Sequence, residues 1–229
     1  MLLPKGKLTL CLDRTEWDFG KFHTNILMVT AKCEGIGIPL FWELLDNKSG
    51  NSNAQNRINL MEKCVNLLGK RINFVIGDRE FIGIKWLKWL KENKIGFCMR
   101  VPKNHAIQLK NGEVYFVDEL LESKSERLYE DCLVDGIVCN IYLKKIENNK
   151  YLFLISNEKA RKLGTIYRHR WSIEVCFQSF KTRGFNLEDT HLKSGEKIRK
   201  TISFCQYFPC FMFKSWNFWL WFKKYDILK

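Results

Sequence analysis

The chain has 229 residues and a formal net charge of +13, from 38 Lys and Arg against 25 Asp and Glu. A hydrophobic content of 46% is enough to build the core of one domain with an insertion, or of two small domains, which excludes a disordered chain. The excess of positive charge favours a polyanionic partner, with nucleic acid ahead of an anionic membrane surface.

Nine cysteines are spread along the chain, and neither a CxxC pair nor zinc-ligand spacing with His occurs among them. Their number is odd and several lie inside apolar segments. We therefore expect reduced thiols in the core of a cytosolic protein. Residues 1–7 lack the long apolar stretch of a signal peptide.

The first part of the chain is expected to form three consecutive strands. Leucines alternate with other residues over 8–12, which predicts a strand with Asp13 near its end. The apolar segments 24–32 and 36–45 are separated by a Glu-Gly pair and predict a hairpin.

A helix is expected next, over 54–69, followed by a short buried strand over 72–76. The strand delivers Asp78 to its C-terminal end, so a second carboxylate lies at a strand terminus. A helix over 84–93 and a strand over 95–101 complete this part of the chain.

The sequence pattern changes after residue 102. Residues 103–158 contain alternating stretches joined by Asn-Gly, Asp-Gly and Asn-Asn turns, with a charged segment over 118–131, which predicts a β-rich insertion with a short helix. We therefore divide the chain into a core over 1–102, the insertion, a second core part over 159–203 and an aromatic C-terminal segment over 204–229.

The stretch from Tyr167 to Lys181 is predicted to be one helix. At about 100° per residue, one face carries a phenol, two cations, an amide and an acid within about 60° of arc. These residues are Tyr167, Arg170, Glu174, Gln178 and Lys181. An apolar flank beside them suits docking on a sheet. On spacing alone, a surface helix with an i,i+4 pair between Arg170 and Glu174 is an equal alternative.

Asp13, Asp78 and Glu174 are therefore placed on two strands and a later helix, an order that can bring them to one edge of a mixed sheet. Three close carboxylates repel one another and require cations. Carboxylate oxygens suit Mg²⁺ or Mn²⁺ and not zinc, and two such ions can support displacement at a phosphodiester. Basic composition and metal chemistry together indicate DNA or RNA.

The segments 12–17 and 76–81 and the Tyr-x2-Arg-x3-Glu-x6-Lys signature resemble the DDE transposases of bacterial insertion sequences, in the subgroup named for that signature. The resemblance runs from about Lys7 to His191. It implies a ribonuclease H-like α/β fold, a mixed sheet flanked by helices, with a β-rich insertion between the second Asp and the Glu. It also implies metal-dependent nicking at transposon ends, followed by attack of a 3′-hydroxyl on another phosphodiester.

In this family the catalytic acids Asp13, Asp78 and Glu174 would hold two Mg²⁺ (or Mn²⁺) ions. Tyr167, Arg170 and Lys181 would bind the DNA backbone at the transposon end. The resemblance further implies a homodimer on paired ends, acting in the bacterial cytoplasm with DNA of the nucleoid and not at a membrane. Glu80 and Asp189, close to the matched motifs, are expected to support the site.

Two departures from the family pattern lead us to interpret the chain as a truncated copy. Only twelve residues precede Asp13, where family members usually carry a DNA-binding domain, and the aromatic segment after residue 204 differs from the expected helical finish. Two alternatives stay open. One is a DNA-binding remnant without activity, and the other is a membrane-associated protein anchored by residues 204–222. A buried segment is preferred for these residues.

Overall fold

The computed structural model describes residues 3–45, 50–121, 125–146, 150–181 and 184–212, and the side chains of this set up to residue 205. Ten strands form one sheet. The strands are β1 (Leu8–Phe19), β2 (Phe22–Cys33), β3 (Ile36–Leu45), β4 (Ile72–Gly77), β5 (Gly96–Arg100), β6 (Ala106–Gln108), β7 (Val114–Phe116), β8 (Glu126–Val134), β9 (Ile137–Ile146) and β10 (Lys150–Ser156). The α-helices are α1 (Ala54–Leu68), α2 (Ile84–Glu92), α3 (Leu163–Tyr167), α4 (Trp171–Lys181) and α5 (Gly195–Met212).

The first five strands form the core of the sheet in the order β3-β2-β1-β4-β5. β1, β2 and β3 pair antiparallel, whereas β4 lies parallel to both β1 and β5. This mixed sheet with helices on its faces has the strand order of a ribonuclease H-like fold. The predicted fold class is confirmed.

β1 is longer than predicted. It continues to Phe19, because its second half pairs with β2 as far as the Phe19–Phe22 closing pair. The expectation that Asp13 lies near the end of the strand is therefore wrong, since Asp13 lies in its middle. The parallel pairing with β4 nevertheless stops at Cys11 and Ile76, so Asp13 lies just beyond the place where these two strands separate.

The insertion extends the core sheet. β10 pairs antiparallel with β5, and β9, β8, β6 and β7 follow outward. The short helix predicted in this region is not observed in the described residues: 118–121 form a turn, and β8 begins at Glu126 and pairs with β9. Residues 122–124, inside the charged segment, lie outside the described residues.

Two hydrophobic clusters cover the two faces of the sheet. Side chains of β1 point alternately into the two clusters. Leu10 and Leu12 pack with α1 and α2, whereas Cys11 and Trp17 pack with α4 and α5. Trp86 is fully buried, as expected for a core aromatic.

The predicted single helix over 167–181 is wrong in detail. α3 ends at Tyr167, a 3-10 turn covers Arg168–Arg170, and α4 begins at Trp171. The turn lies against β1, where the Cys11 thiol donates to the His169 carbonyl oxygen at 3.4 Å. Tighter 3-10 winding is common at helix termini. The predicted apolar flank of α4 is buried, as its docking requires.

Eight of the nine cysteines are described, and all eight are buried free thiols. Their core position was predicted. Cys210 lies outside the described side chains.

The C-terminal segment is only partly described. α5 runs to Met212, and Phe204 on it is 73% exposed, so burial of the aromatic segment is wrong at this residue. Residues 213–229, which hold most of that segment, lie outside the described residues. No helix within the described ranges combines the length and the hydrophobicity needed to cross a membrane.

Candidate active site

Three carboxylates from three separate elements converge on one guanidinium. Arg170 Nη1 donates to Asp13 Oδ2 at 2.8 Å, and Arg170 Nη2 donates to Glu174 Oε1 and lies 3.9 Å from Asp78 Oδ2. Asp13 comes from β1, Asp78 directly follows β4, and Glu174 lies in the first turn of α4. The structure therefore brings together the three predicted acids, and the interaction of Arg170 with Glu174 is more than a surface pair.

Asp13 is the most enclosed of these acids. Its side chain is 18% exposed, and Oδ1 accepts the backbone N–H of Arg14 at 2.8 Å. Burial raises the pKa of its carboxyl from 3.8 to about 6, although the Arg170 cation and the Arg14 N–H lower it. Because the pKa is raised although a guanidinium lies beside it, the effect of desolvation on this carboxyl is larger than the effect of the ion pair.

Asp78 is held loosely by comparison. The Tyr167 hydroxyl donates to its Oδ1 at 3.4 Å, and Arg100 Nη1 lies 3.8 Å from the same oxygen. Burial raises the pKa of Tyr167, while the Arg170 cation opposes this shift. The phenol therefore stays protonated at neutral pH and remains a hydrogen-bond donor to the carboxylate.

Arg170 carries a permanent charge in this site. Burial alone would lower its pKa, but Tyr167, Asp13 and Glu174 raise it above the ordinary value. Its guanidinium also lies over the Tyr167 ring, 6.0 Å from the centroid. Tyr167 and Arg170 are thus in contact with each other, and their role in DNA binding remains a prediction.

Lys181 lies apart from this group. Its Nζ donates to the Glu16 carbonyl oxygen at 2.5 Å and lies 3.7 Å from Glu188 Oε1. Glu188 in turn accepts the backbone N–H of Asp18 at 2.9 Å. Lys181 lies seven positions after Glu174 on the helix, about 10 Å along the axis, so sharing a face does not bring the two side chains together.

The motifs of the sequence did not indicate Arg100 as a residue of this site. It ends β5, and β5 runs parallel to β4, whose end delivers Asp78. Because neighbouring parallel strands finish at the same edge of a sheet, a cation at the end of the next strand was an available signal.

The two acids expected to support the site differ. Glu80 accepts from Arg14 Nε at 3.0 Å and from Ser52 Oγ at 3.0 Å, so it is linked to the chain beside Asp13. Asp189 is exposed, and its backbone N–H donates to the Asn186 carbonyl oxygen at 3.1 Å. The acid next to it, Glu188, is the one that contacts Lys181.

The chemistry of the donor set suits a hard divalent cation, since three carboxylates supply oxygen ligands only. Among the residues that the structure describes, however, no group of three or more His, Cys, Asp or Glu is placed to hold a metal ion. The Arg170 guanidinium lies between the carboxylates and supplies the positive charge there. The three carboxylates suit such an ion by their chemistry, and in this arrangement their oxygens face the Arg170 guanidinium.

The chain matches the family model described as the transposase DDE domain over residues 5–206. It belongs to this family, which confirms the family predicted from the three motifs. No curated protein is similar enough to the chain to give a significant match.

Two solved structures show partial similarity. The HTLV-2 integrase catalytic core domain in complex with magnesium is 16% identical, with 43% of this chain and 62% of that chain covered and a TM-score of 0.31. The simian T-cell lymphotropic virus intasome in complex with the PP2A regulatory subunit B56 gamma is 9% identical, with 69% and 80% covered and a TM-score of 0.34. The chain thus spans about three fifths of the integrase core domain that it matches.

Proposed function

We propose that this chain acts as the catalytic domain of a DNA transposase that nicks DNA at transposon ends and transfers the free strand to another phosphodiester. The observation that carries this proposal is the convergence of Asp13, Asp78 and Glu174 on one point, in a chain of the transposase DDE family. Carboxylates gathered from separate elements are costly to a fold, because they repel one another. Their assembly therefore supports a catalytic site.

The three carboxylates are proposed to hold two Mg²⁺ or Mn²⁺ ions. Bound divalent ions activate an oxygen nucleophile and stabilise the leaving oxygen at a phosphodiester. Asp13, in its enclosed position, keeps a fixed orientation, and the looser contacts of Asp78 allow it to adjust.

Arg170, Tyr167 and Lys181 are proposed to bind the phosphate backbone of the transposon end. A guanidinium that leaves the carboxylates can form the same bidentate hydrogen bonds with phosphate oxygens. Lys181, already apart from the acids, would contact a phosphate further along the strand.

The remaining proposals follow from the family. The protein would act on transposon ends and target DNA as a homodimer on paired ends, in the cytoplasm and associated with the nucleoid through DNA. The proposed units are the core over 1–102, the insertion over 103–158, the second core part over 159–203 and the C-terminal segment over 204–229.

The proposal is tested by nicking of a supercoiled plasmid in the presence of Mn²⁺, because this substrate requires no knowledge of the end sequence. We expect the plasmid to become relaxed with the wild-type chain, and relaxation to fall at least about 100-fold with Glu174→Gln. Glu196→Gln, on an exposed residue of α5, serves as the matched control and should cleave like wild type. DNA binding without any Mn²⁺-dependent relaxation would instead support the inactive remnant.

A further inference from the structure

A second polar network lies on the sheet face opposite the three carboxylates. Asp13 and Arg14 are neighbours on β1, so their side chains point to opposite faces. Arg14 Nε donates to Glu80 Oε2 at 3.0 Å, and these two side chains are 18% and 13% exposed. Arg14 Nη1 also donates to Glu16 Oε1 at 2.5 Å and to Asn25 Oδ1 at 3.1 Å.

The network bridges the point where β1 and β4 separate. Registered parallel pairing of the two strands ends at Cys11 and Ile76, and Asp13 and Asp78 each lie two residues further on. Backbone pairing between β1 and β4 therefore does not set the distance between the two acids. The Arg14–Glu80 ion pair joins the residue after Asp13 to the loop that begins at Asp78.

The same loop is fixed from the side of α1. Glu80 Oε1 accepts from Ser52 Oγ at 3.0 Å, and Ser52 Oγ accepts from Arg57 Nε at 2.9 Å. Arg57 is buried, donates to the Ile82 carbonyl oxygen at 3.2 Å and lies over the Phe81 ring, 5.2 Å from its centroid. Residues 78–83 are thus held at several points, while the Asp78 carboxylate makes long contacts of 3.4 to 3.9 Å with Tyr167, Arg100 and Arg170.

We propose that Arg14 and Glu80 are positioning residues, which hold the loop after β4 against β1 and thereby set the separation of Asp13 and Asp78. This inference rests on the proposed function of the two acids. When Arg170 leaves the carboxylates, the acids repel each other, and the contacts of Asp78 with Tyr167 and Arg100 on that side are long, at 3.4 and 3.8 Å. The ion pair on the opposite face then keeps the site assembled.

Glu80→Gln tests this role, because it keeps the side-chain volume and removes the charge. The first measurement is hydrogen exchange of the amides of residues 78–83 in the metal-free protein. We expect exchange to be about tenfold faster, since a charge-assisted hydrogen bond is lost. Arg14→Gln should have the same effect, and the double variant should add little to either.

The second measurement is Mn²⁺ binding, followed by electron paramagnetic resonance. We expect Glu80→Gln to raise the half-saturating Mn²⁺ concentration about tenfold. Leu68→Ala, a buried position at the far end of α1, is the matched control for loss of stability alone. It should lower the melting temperature and leave both loop exchange and Mn²⁺ binding unchanged.

Unchanged loop exchange in Glu80→Gln would overturn the proposal, and so would faster exchange with wild-type Mn²⁺ affinity. A wild-type chain that binds no Mn²⁺ would contradict the proposed function instead. In that case the exchange measurement still decides whether the ion pair holds the loop.

Discussion

Arg170 is the residue on which the metal-free site depends. One guanidinium interacts with three carboxylates that belong to three different elements. A guanidinium stays charged at any pH at which the protein folds, so it cannot make room for a metal ion by losing a proton. Metal binding at these oxygens therefore requires the side chain to move.

Replacing Arg170 should strengthen metal binding. In Arg170→Gln the carboxylates lose the competing cation, so at a pH well above the Asp13 pKa of about 6 we expect the Mn²⁺ affinity of the DNA-free protein to rise about tenfold or more. Titration calorimetry measures this directly. Arg168→Gln, two residues earlier and exposed, is the control that should bind Mn²⁺ like wild type. Weaker binding in Arg170→Gln would show that the arginine supports the metal site.

Asp13 gives the site a pH dependence with a defined sign. Its pKa is higher in the folded protein, about 6, than the 3.8 of the free side chain. Its ionisation therefore costs stability above pH 6, and this cost disappears as the pH falls through both values. In the presence of a chelator, Asp13→Asn should raise the free energy of unfolding by up to about 3 kcal/mol at pH 7.5. Thermal denaturation at pH 7.5 and 3.5 checks this, and a gain of equal size at both pH values would refute it.

That Asp13, Asp78 and Glu174 come together could be predicted from the sequence, but their contacts could not. Asp13, Asp78 and Glu174 followed from three motifs in order. The helical period placed Lys181 on the same face as Glu174, yet it could not show that a 3-10 turn precedes α4 or that Lys181 reaches the Glu16 carbonyl. Such contacts depend on how the helix packs against the sheet, and the helical period of the sequence does not specify this.

α4 packs closely on β3, and a glycine makes this possible. A Cβ atom built on Gly37 would lie 2.7 Å from Thr30 Oγ1 and 3.0 Å from the Ser172 carbonyl oxygen. Ser172 is in the first turn of α4, two residues before Glu174. The absence of a side chain at Gly37 therefore allows α4, and Glu174 with it, to lie this close to the sheet.

Gly37→Ala should displace α4. We expect a loss of about 1–3 kcal/mol in the free energy of unfolding from overpacking, together with weaker Mn²⁺ binding because Glu174 moves. Chemical denaturation and a Mn²⁺ titration measure the two effects. At Gly195 the nearest atom to an added Cβ is the end of the flexible Leu44 side chain at 3.2 Å, so Gly195→Ala is the control. Equal effects of the two variants would count against the role of Gly37.

The strands and helices of the core could be predicted because the spacing of apolar residues within each segment indicates its secondary structure. The length of β1 could not be predicted in this way, because its second half forms a strand only through its pairing with β2. The short helix expected in the insertion is not observed in its described residues for a related reason: β8 owes its conformation to β9, a partner that charge and composition do not reveal.

At the scale of the whole molecule, the net charge of +13 should dominate binding to DNA. If about six phosphates are contacted, affinity for an arbitrary duplex should fall about 1000-fold between 50 and 200 mM salt. Fluorescence anisotropy with a labelled duplex measures the slope. A slope near zero would contradict a phosphate-binding surface.

The family could be predicted from the sequence, whereas the number of strands in the single sheet could not. The many turn sequences in residues 103–158 predict strands but do not show which strands pair with each other. β10 joins β5 through the pairs of Leu154, Ile155 and Ser156, so the insertion and the core share one sheet. Long-range pairing of this kind requires the fold itself.

The buried thiols give the two cores of this protein separate chemical reporters. Cys11, Cys98 and Cys176 lie in the cluster under α4, whereas Cys64 and Cys139 lie in the cluster on the other face. A buried thiol can be alkylated only when its surroundings open. The order in which the five become modified, followed by peptide mass, would therefore show which face of the sheet unfolds first, without any label being introduced.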